Sequence, residues 1–246
     1  MNSDDRVRAE RPSTSVDHSI RVLSRRDVAA LMKSWEYVEP VEAAFRCLAD
    51  ESVDLPLPMH IAADGGSFHV KGCFVDFDQP FVAVKLNANY PGNGKLGLPT
   101  IQGVVLLCEG ESGTVLAFLD SMELTARRAA AASALAARHL ARNDANVIAI
   151  CGCGVQGQAH LEVLAHTLHP SRIVAWDVDK TRAISFARQM ADKLGLEVAA
   201  VPDIADAAGA GDVIVTATRS SPLPHTHRPA AWSIRGCNWR RQSGQE

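Results

Sequence analysis

Three glycines, Gly152, Gly154 and Gly157, follow the apolar run Val147-Ile-Ala-Ile at G-x-G-x-x-G spacing. A helix-period pattern comes next (Leu161, Val163, Leu164, Ala165, Leu168), then a second apolar run, Ile173-Val-Ala-Trp. Asp177 closes that run, 20 residues after Gly157. Strand, glycine turn, helix, strand and acid in this order make a dinucleotide site. Gly152 permits the tight turn, Gly154 leaves bare backbone for a pyrophosphate, and Gly157 lets the helix pack on the strand. Val155 and Gln156 open the helix, where free N–H groups and the dipole attract phosphate. Asp177 would accept hydrogen bonds from the adenosine ribose and repel a 2′-phosphate. NAD is therefore expected, with NADP possible because Arg172 and Lys180 are near. A βαβ unit that binds nothing is the alternative.

Three basic residues stand where a charge is unusual. Lys85 interrupts Phe81-Val-Ala-Val-Lys-Leu, Lys71 interrupts Phe68-His-Val-Lys-Gly, and Arg128 lies near the start of an alanine-rich stretch. A charge in a buried strand needs a partner or a task. Burial would lower the lysine pKa and suit Lys85 to proton transfer. A guanidinium such as Arg128 can hold a carboxylate through two parallel hydrogen bonds. The competing reading is that all three reach water from an edge or surface.

The elements that must position these groups follow from pattern. Ser24 can cap a helix over Asp27–Lys33, and a second helix is expected over Pro40–Leu48 with Val41, Ala44, Phe45 and Leu48 on one face. Strands are expected at Ser67–Phe74, Phe81–Leu86, Ile101–Cys108 and Val115–Leu119, the last two joined by the loop Glu109–Thr114. No helix separates them, so an antiparallel or mixed sheet is expected. Glu123–Arg142 is an alanine-rich helix leading to Val147. After Asp177 the alternation continues: a helix Thr181–Leu194 capped by Asp179 and ended by Gly195, a strand Glu197–Val201, a short helix Asp203–Ala208, and a strand Asp212–Thr218. Ligands sit at the carboxyl ends of such strands, which places Thr218 and Arg219 at the nicotinamide half.

The fold class is thus α/β: a Rossmann-type doubly wound parallel sheet beside a smaller α+β part with a mixed or antiparallel sheet. The expected divisions are a disordered tail over 1–16, the α+β part over 17–124, a connecting helix over 125–145, an incomplete dinucleotide domain over 146–221, and an atypical tail over 222–246. That tail carries Trp232 and Trp239 without periodicity, and it reads as a truncated or frame-shifted end.

Hydrophobic residues make up 47% of the 246 and charged residues 22%, the balance of a globular chain. A net charge of −3 with scattered Arg and Lys gives no reason to expect nucleic acid as partner. No run of 18 apolar residues exists, so no membrane partner is expected, and the polar N-terminus lacks a signal core. A cytoplasmic location follows. Six cysteines lie mostly in apolar runs, as buried thiols of a reducing compartment do. Cys151 and Cys153 do not have metal-site spacing, so packing under the turn is expected and no metal. His160, His166 and His169 are expected as solvated helix residues.

Leu98-Pro-Thr-Ile-Gln-Gly, Leu119-Asp-Ser-Met-Glu-Leu-Thr-Ala-Arg-Arg and Ile150-Cys-Gly-Cys-Gly-Val-Gln-Gly together resemble the ornithine cyclodeaminase/mu-crystallin family, over about Val22 to Ser221. The resemblance implies a homodimer, with the α+β part serving substrate binding and dimerisation beside an NAD(P)-binding Rossmann domain. It implies hydride exchange at the α-carbon of a small amino or imino acid. By the same resemblance Lys85 matches an active-site lysine, Arg128 the arginine that binds the substrate carboxylate, and Gly152, Gly154, Gly157 and Asp177 the cofactor site. Two departures stand out. Leu55-Pro-Leu-Pro-Met-His lacks the usual arginine, a place Lys71 could fill. No phrase after Ser221 supplies the family's catalytic aspartate. Three activities follow: a cyclodeaminase-like NAD-dependent oxidoreductase or deaminase, an amino-acid dehydrogenase or ketimine reductase, and a non-catalytic NAD(P)-binding protein of mu-crystallin type. Whether this chain is an enzyme is left open by the missing segment.

Overall fold

The computed structural model describes residues 19–50, 53–76 and 79–218. The tails expected over 1–16 and 222–246, and Arg219 with them, lie outside the described residues.

Two sheets organise the chain. The first has seven strands: β1 (Arg21–Leu23), β2 (Val53–Asp54), β3 (Met59–Ala63), β4 (Gly66–Asp76), β5 (Pro80–Asn89), β6 (Ile101–Glu109) and β7 (Val115–Asp120). Their order is β1-β7-β6-β5-β4-β2, with β3 also paired to β4. The sheet is mixed, because β1 runs parallel to β7 while the other pairs are antiparallel. The second sheet is wholly parallel: β8 (Val147–Cys151), β9 (Arg172–Trp176), β10 (Glu197–Ala200) and β11 (Val213–Thr216), in the order β10-β9-β8-β11.

Among the described residues six α-helices connect and cover them: α1 (Arg25–Leu31), α2 (Val38–Ala49), α3 (Ser121–Leu140), α4 (Val155–Leu168), α5 (Lys180–Leu194) and α6 (Ile204–Ala210). Their ends obey local chemistry. Ser24 and Asp27 form a reciprocal capping box on α1, Asp120 caps α3, Asp179 caps α5, and Gly195 ends α5 in the left-handed region. Pro91–Leu96 winds into a 3-10 turn closed by left-handed Gly97.

Helix α3 joins the sheets. Its alanines Ala126, Ala130, Ala131 and Ala134 are buried, and with no bulk beyond a methyl they let α3 and α4 approach closely. One core runs through this contact, from Tyr37 and Val38 through Ala130 and Ala134 to Ile148, Leu161, Leu164 and Phe186. Each large aliphatic side chain buried there contributes roughly 1.5–3 kcal/mol. A smaller cluster with Ala149, Val174 and Ala207 seats α6 on the other face of the parallel sheet.

Two expectations are corrected. On α2, Phe45 and Leu48 were expected to face inward, yet each is about half exposed. The histidines of α4 are not all simply solvated: His166 stacks on Trp35 with ring centroids 4.6 Å apart, and the His160 ring lies 2.7 Å from the Gln156 carbonyl oxygen.

Candidate functional site

The strand order of the parallel sheet reverses at β8, whose neighbours β9 and β11 lead in opposite directions. Ligands of doubly wound sheets bind at such a switch point, outside the carboxyl ends of the strands. The glycine turn lies there. Gly152 has φ +111° and donates its N–H to the Trp176 carbonyl at 2.8 Å. A Cβ on it would stand 2.6 Å from the carbonyl carbon of Ala217, just past β11. A Cβ on Gly157 would stand 2.1 Å from the Gly152 carbonyl oxygen. Both glycines are therefore required by backbone closeness. Gly154 is different: nothing lies within 4 Å of the position its Cβ would take.

The first helical bond of α4 runs from Gln158 N–H to the Gly154 carbonyl at 3.0 Å. The amides of Val155, Gln156 and Gly157 precede it and have no acceptor within the helix. Open space over Gly154, against N–H groups at a helix start, fits a pyrophosphate. Thr218 is exposed beyond the end of β11, on the same side of the sheet.

Asp177 is buried. Its Oδ2 accepts the Cys153 N–H at 2.8 Å and its Oδ1 accepts the Asp179 N–H at 2.9 Å. Arg182 reaches the same Oδ1 through Nη1 at 3.4 Å. Neither basic residue expected near the acid holds it: the Arg172 Nε faces Glu197 at 3.9 Å, and Lys180 opens α5. The sequence reading missed Arg182, although its place in the first turn of the helix after the acid was a usable signal. Cys151 and Cys153 are buried free thiols. Burial first, then the nearby Asp177 charge, pushes the Cys153 thiol up to about 12, and its Sγ lies 3.5 Å from the Trp176 carbonyl oxygen.

The basic residues meet on the first sheet. Lys71 and Lys85 are direct cross-strand partners of β4 and β5. Helix α3 covers that face at β5, since Asn87, two residues on from Lys85, bonds to it; Lys85 is half-buried there, while Lys71 and Arg128 are exposed. The Ser121 hydroxyl donates to Asn87 Oδ1 at 2.7 Å, and the Asn87 amide donates to Thr125 Oγ1 at 3.4 Å. Arg128 stands one turn past Thr125. Burial pushes the Lys85 amine below the ordinary lysine value, and the charges of Arg128 and Lys71 push it further. Among the described residues no carboxylate pairs with any of the three. The Asn87–Ser121–Thr125 network was also missed, though Asn87 at period two from Lys85, and Ser121 and Thr125 at helical spacing from Arg128, mark it.

A profile of the ornithine cyclodeaminase/mu-crystallin family matches residues 19–227. The chain belongs to that family. Among its relatives is a Rhizobium meliloti protein named as a dehydrogenase, 39% identical over 190 residues that cover 75% of this chain and 57% of that protein. Two solved members of the family share the fold. The Thermococcus litoralis Delta(1)-pyrroline-2-carboxylate reductase, in complex with NADH and L-proline, is 31% identical with a TM-score of 0.76, over 80% of this chain and 61% of that one. An archaeal alanine dehydrogenase dimer with bound NAD is 28% identical with a TM-score of 0.73, over 80% and 60%. The chain thus spans about six-tenths of the length of the family members it matches.

Proposed function

We propose that this chain binds a nicotinamide dinucleotide at the glycine turn and acts on a small α-amino or imino acid held by the basic cluster of the first sheet. The observation that carries the reading is the pairing of Lys71 with Lys85 beside Arg128, with no carboxylate on them among the described residues. Two exposed cations beside a half-buried lysine, with no carboxylate on them among the described residues, suit an anionic ligand, and a carboxylate is the anion every such substrate carries. In this reading Arg128 and Lys71 hold the substrate carboxylate. Lys85, with its amine already pushed toward the neutral form, gives or takes the proton at the substrate nitrogen. Bound at β8 and α4, the nicotinamide supplies or accepts the hydride at the substrate α-carbon. Gly152, Gly154, Val155, Gln156 and Gly157 hold the diphosphate, Asp177 stands at the adenosine ribose, and Thr218 and Arg219 belong to the nicotinamide half.

The part over 17–124 serves substrate binding and dimerisation, the helix over 125–145 connects, and the part over 146–221 serves the cofactor. The partner is a second copy of this chain, and the location is the cytoplasm, where free thiols such as Cys73, Cys108, Cys151 and Cys153 persist. No helix among the described residues is long and apolar enough to cross a membrane.

The test is NADH binding followed by turnover on a panel of amino acids and cyclic imines. Lys85→Met is expected to lower kcat by about 10²-fold or more. Arg128→Leu is expected to raise KM chiefly. Net NADH formation from an amino acid marks a dehydrogenase or reductase; a cyclodeaminase cycle forms none. Cofactor binding with no turnover on any substrate would overturn the catalytic reading and leave a mu-crystallin-like binding protein.

A further inference from the structure

The polar face of the first sheet does not end at Lys71. His69, two residues earlier on β4, faces the same side, and His60 of β3 is its direct cross-strand partner. Their rings lie with centroids 4.8 Å apart. Asn87 is the partner of His69 on the other flank, so His60, His69 and Asn87 form one row beside the row of Lys71 and Lys85. Such rows stand about 6.6 Å apart along the strands. Among the described residues no carboxylate pairs with either histidine or with Lys71.

What this row offers a ligand is donors. Asn87 Oδ1 already accepts from the Ser121 hydroxyl. His69 Nε2 lies 3.2 Å from Ser67 Oγ. Whichever atom donates there, one donor remains: the His69 Nδ1–H if the serine gives its proton, the serine O–H if the ring does. Lys71 carries donors alone, and its three N–H groups can serve two carboxylates at once. The charge balance points the same way. With Lys85 neutral, Lys71 and Arg128 still carry two positive charges, and a lone α-carboxylate cancels one. A second carboxylate on the substrate, turned toward the histidines, balances the other and takes the open donors. A second ammonium there would be repelled by Lys71 and would find the Asn87 oxygen taken.

We propose that the substrate is an amino- or iminodicarboxylic acid, its α-carboxylate held by Arg128 and Lys71 and its second carboxylate by His60, His69 and Lys71. This rests on the amino-acid reading given above and narrows it against diamino acids. The 246-residue chain, loaded with NADH so that an amino acid has no hydride acceptor, is titrated calorimetrically with L-aspartate, L-glutamate, L-alanine and L-ornithine. Aspartate or glutamate is expected to bind at least about tenfold tighter than alanine, the worth of one charge-assisted hydrogen bond, and ornithine more weakly than alanine. His69→Leu is expected to cut the diacid-to-alanine ratio at least about fivefold. His60→Ala, at an exposed position, is expected to cut it at least about threefold, and it carries the test if His69→Leu does not fold. A wild-type ratio below about tenfold, ornithine bound as tightly as alanine, or a ratio that neither variant lowers by these factors would overturn the assignment while leaving amino-acid binding in place. A folded, NADH-loaded chain that takes none of the four would overturn the substrate reading itself and this assignment with it.

Discussion

Lys85 is half-buried beside two other cations, and its chemistry can be read without substrate. Burial and the two neighbouring cations disfavour its protonated form. The amine is expected to titrate below the ordinary lysine value of about 10.4. Arg128→Ala is expected to move that midpoint back up, because it removes a like charge. Amine labelling at a series of pH values, read at Lys85 by mass spectrometry, checks both; an unshifted midpoint in the wild type would refute the cluster. The sign for stability follows. A fold that lowers an amine's pKa costs stability at low pH, and the cost fades as pH rises through the folded value toward the unfolded one. At this scale the residue types were legible. Lys85, Lys71 and Arg128 stood out as charges in apolar settings, and Arg182 carried a local signal of another kind, its place in the first turn of the helix after Asp177.

The glycine turn is where element geometry makes a sharp distinction. Gly157→Ala places a Cβ 2.1 Å from the Gly152 carbonyl oxygen, so α4 must move off β8. The expected loss is roughly 1–3 kcal/mol, seen in chemical denaturation. Gly154→Ala meets nothing within 4 Å and has φ −91°, which alanine adopts freely. It is expected to leave stability within about 0.5 kcal/mol of wild type while weakening NADH binding, because the methyl fills the space over the turn. Equal effects of both variants on stability would contradict this. The turn, its helix and the caps were readable because they rest on near neighbours in the chain. Strand β3 was not: Met59–Ala63 follows Leu55-Pro-Leu-Pro, lacks clean alternation, and gains its place by pairing with β4. Strand β1 is three residues long, and its partner β7 lies some ninety residues away.

Across the whole molecule, the two faces of the first sheet differ. One carries Lys71, which is exposed, and Lys85 and Asn87, which α3 partly covers. On the other, Val22, Met59, Ile61, Phe74, Leu86 and Phe118 share a side by register, and each is between 36% and 77% exposed. An exposed apolar face of this kind suits a partner surface. The proposed second copy would cover it, and light scattering is expected to give twice the chain mass. Phe118→Asp is expected to yield a folded monomer; a wild-type chain that is monomeric at micromolar concentration would remove the dimer. The amino-acid sequence by itself determined the parallel sheet, the glycine turn, the alanine-rich connector and the basic residues, because periodicity, caps and turn glycines act within a few residues. Only the tertiary structure decided that Lys71 faces Lys85 and which face of the first sheet stays open. Those depend on strand register and on helix placement, set by burying one shared core between segments far apart in the chain.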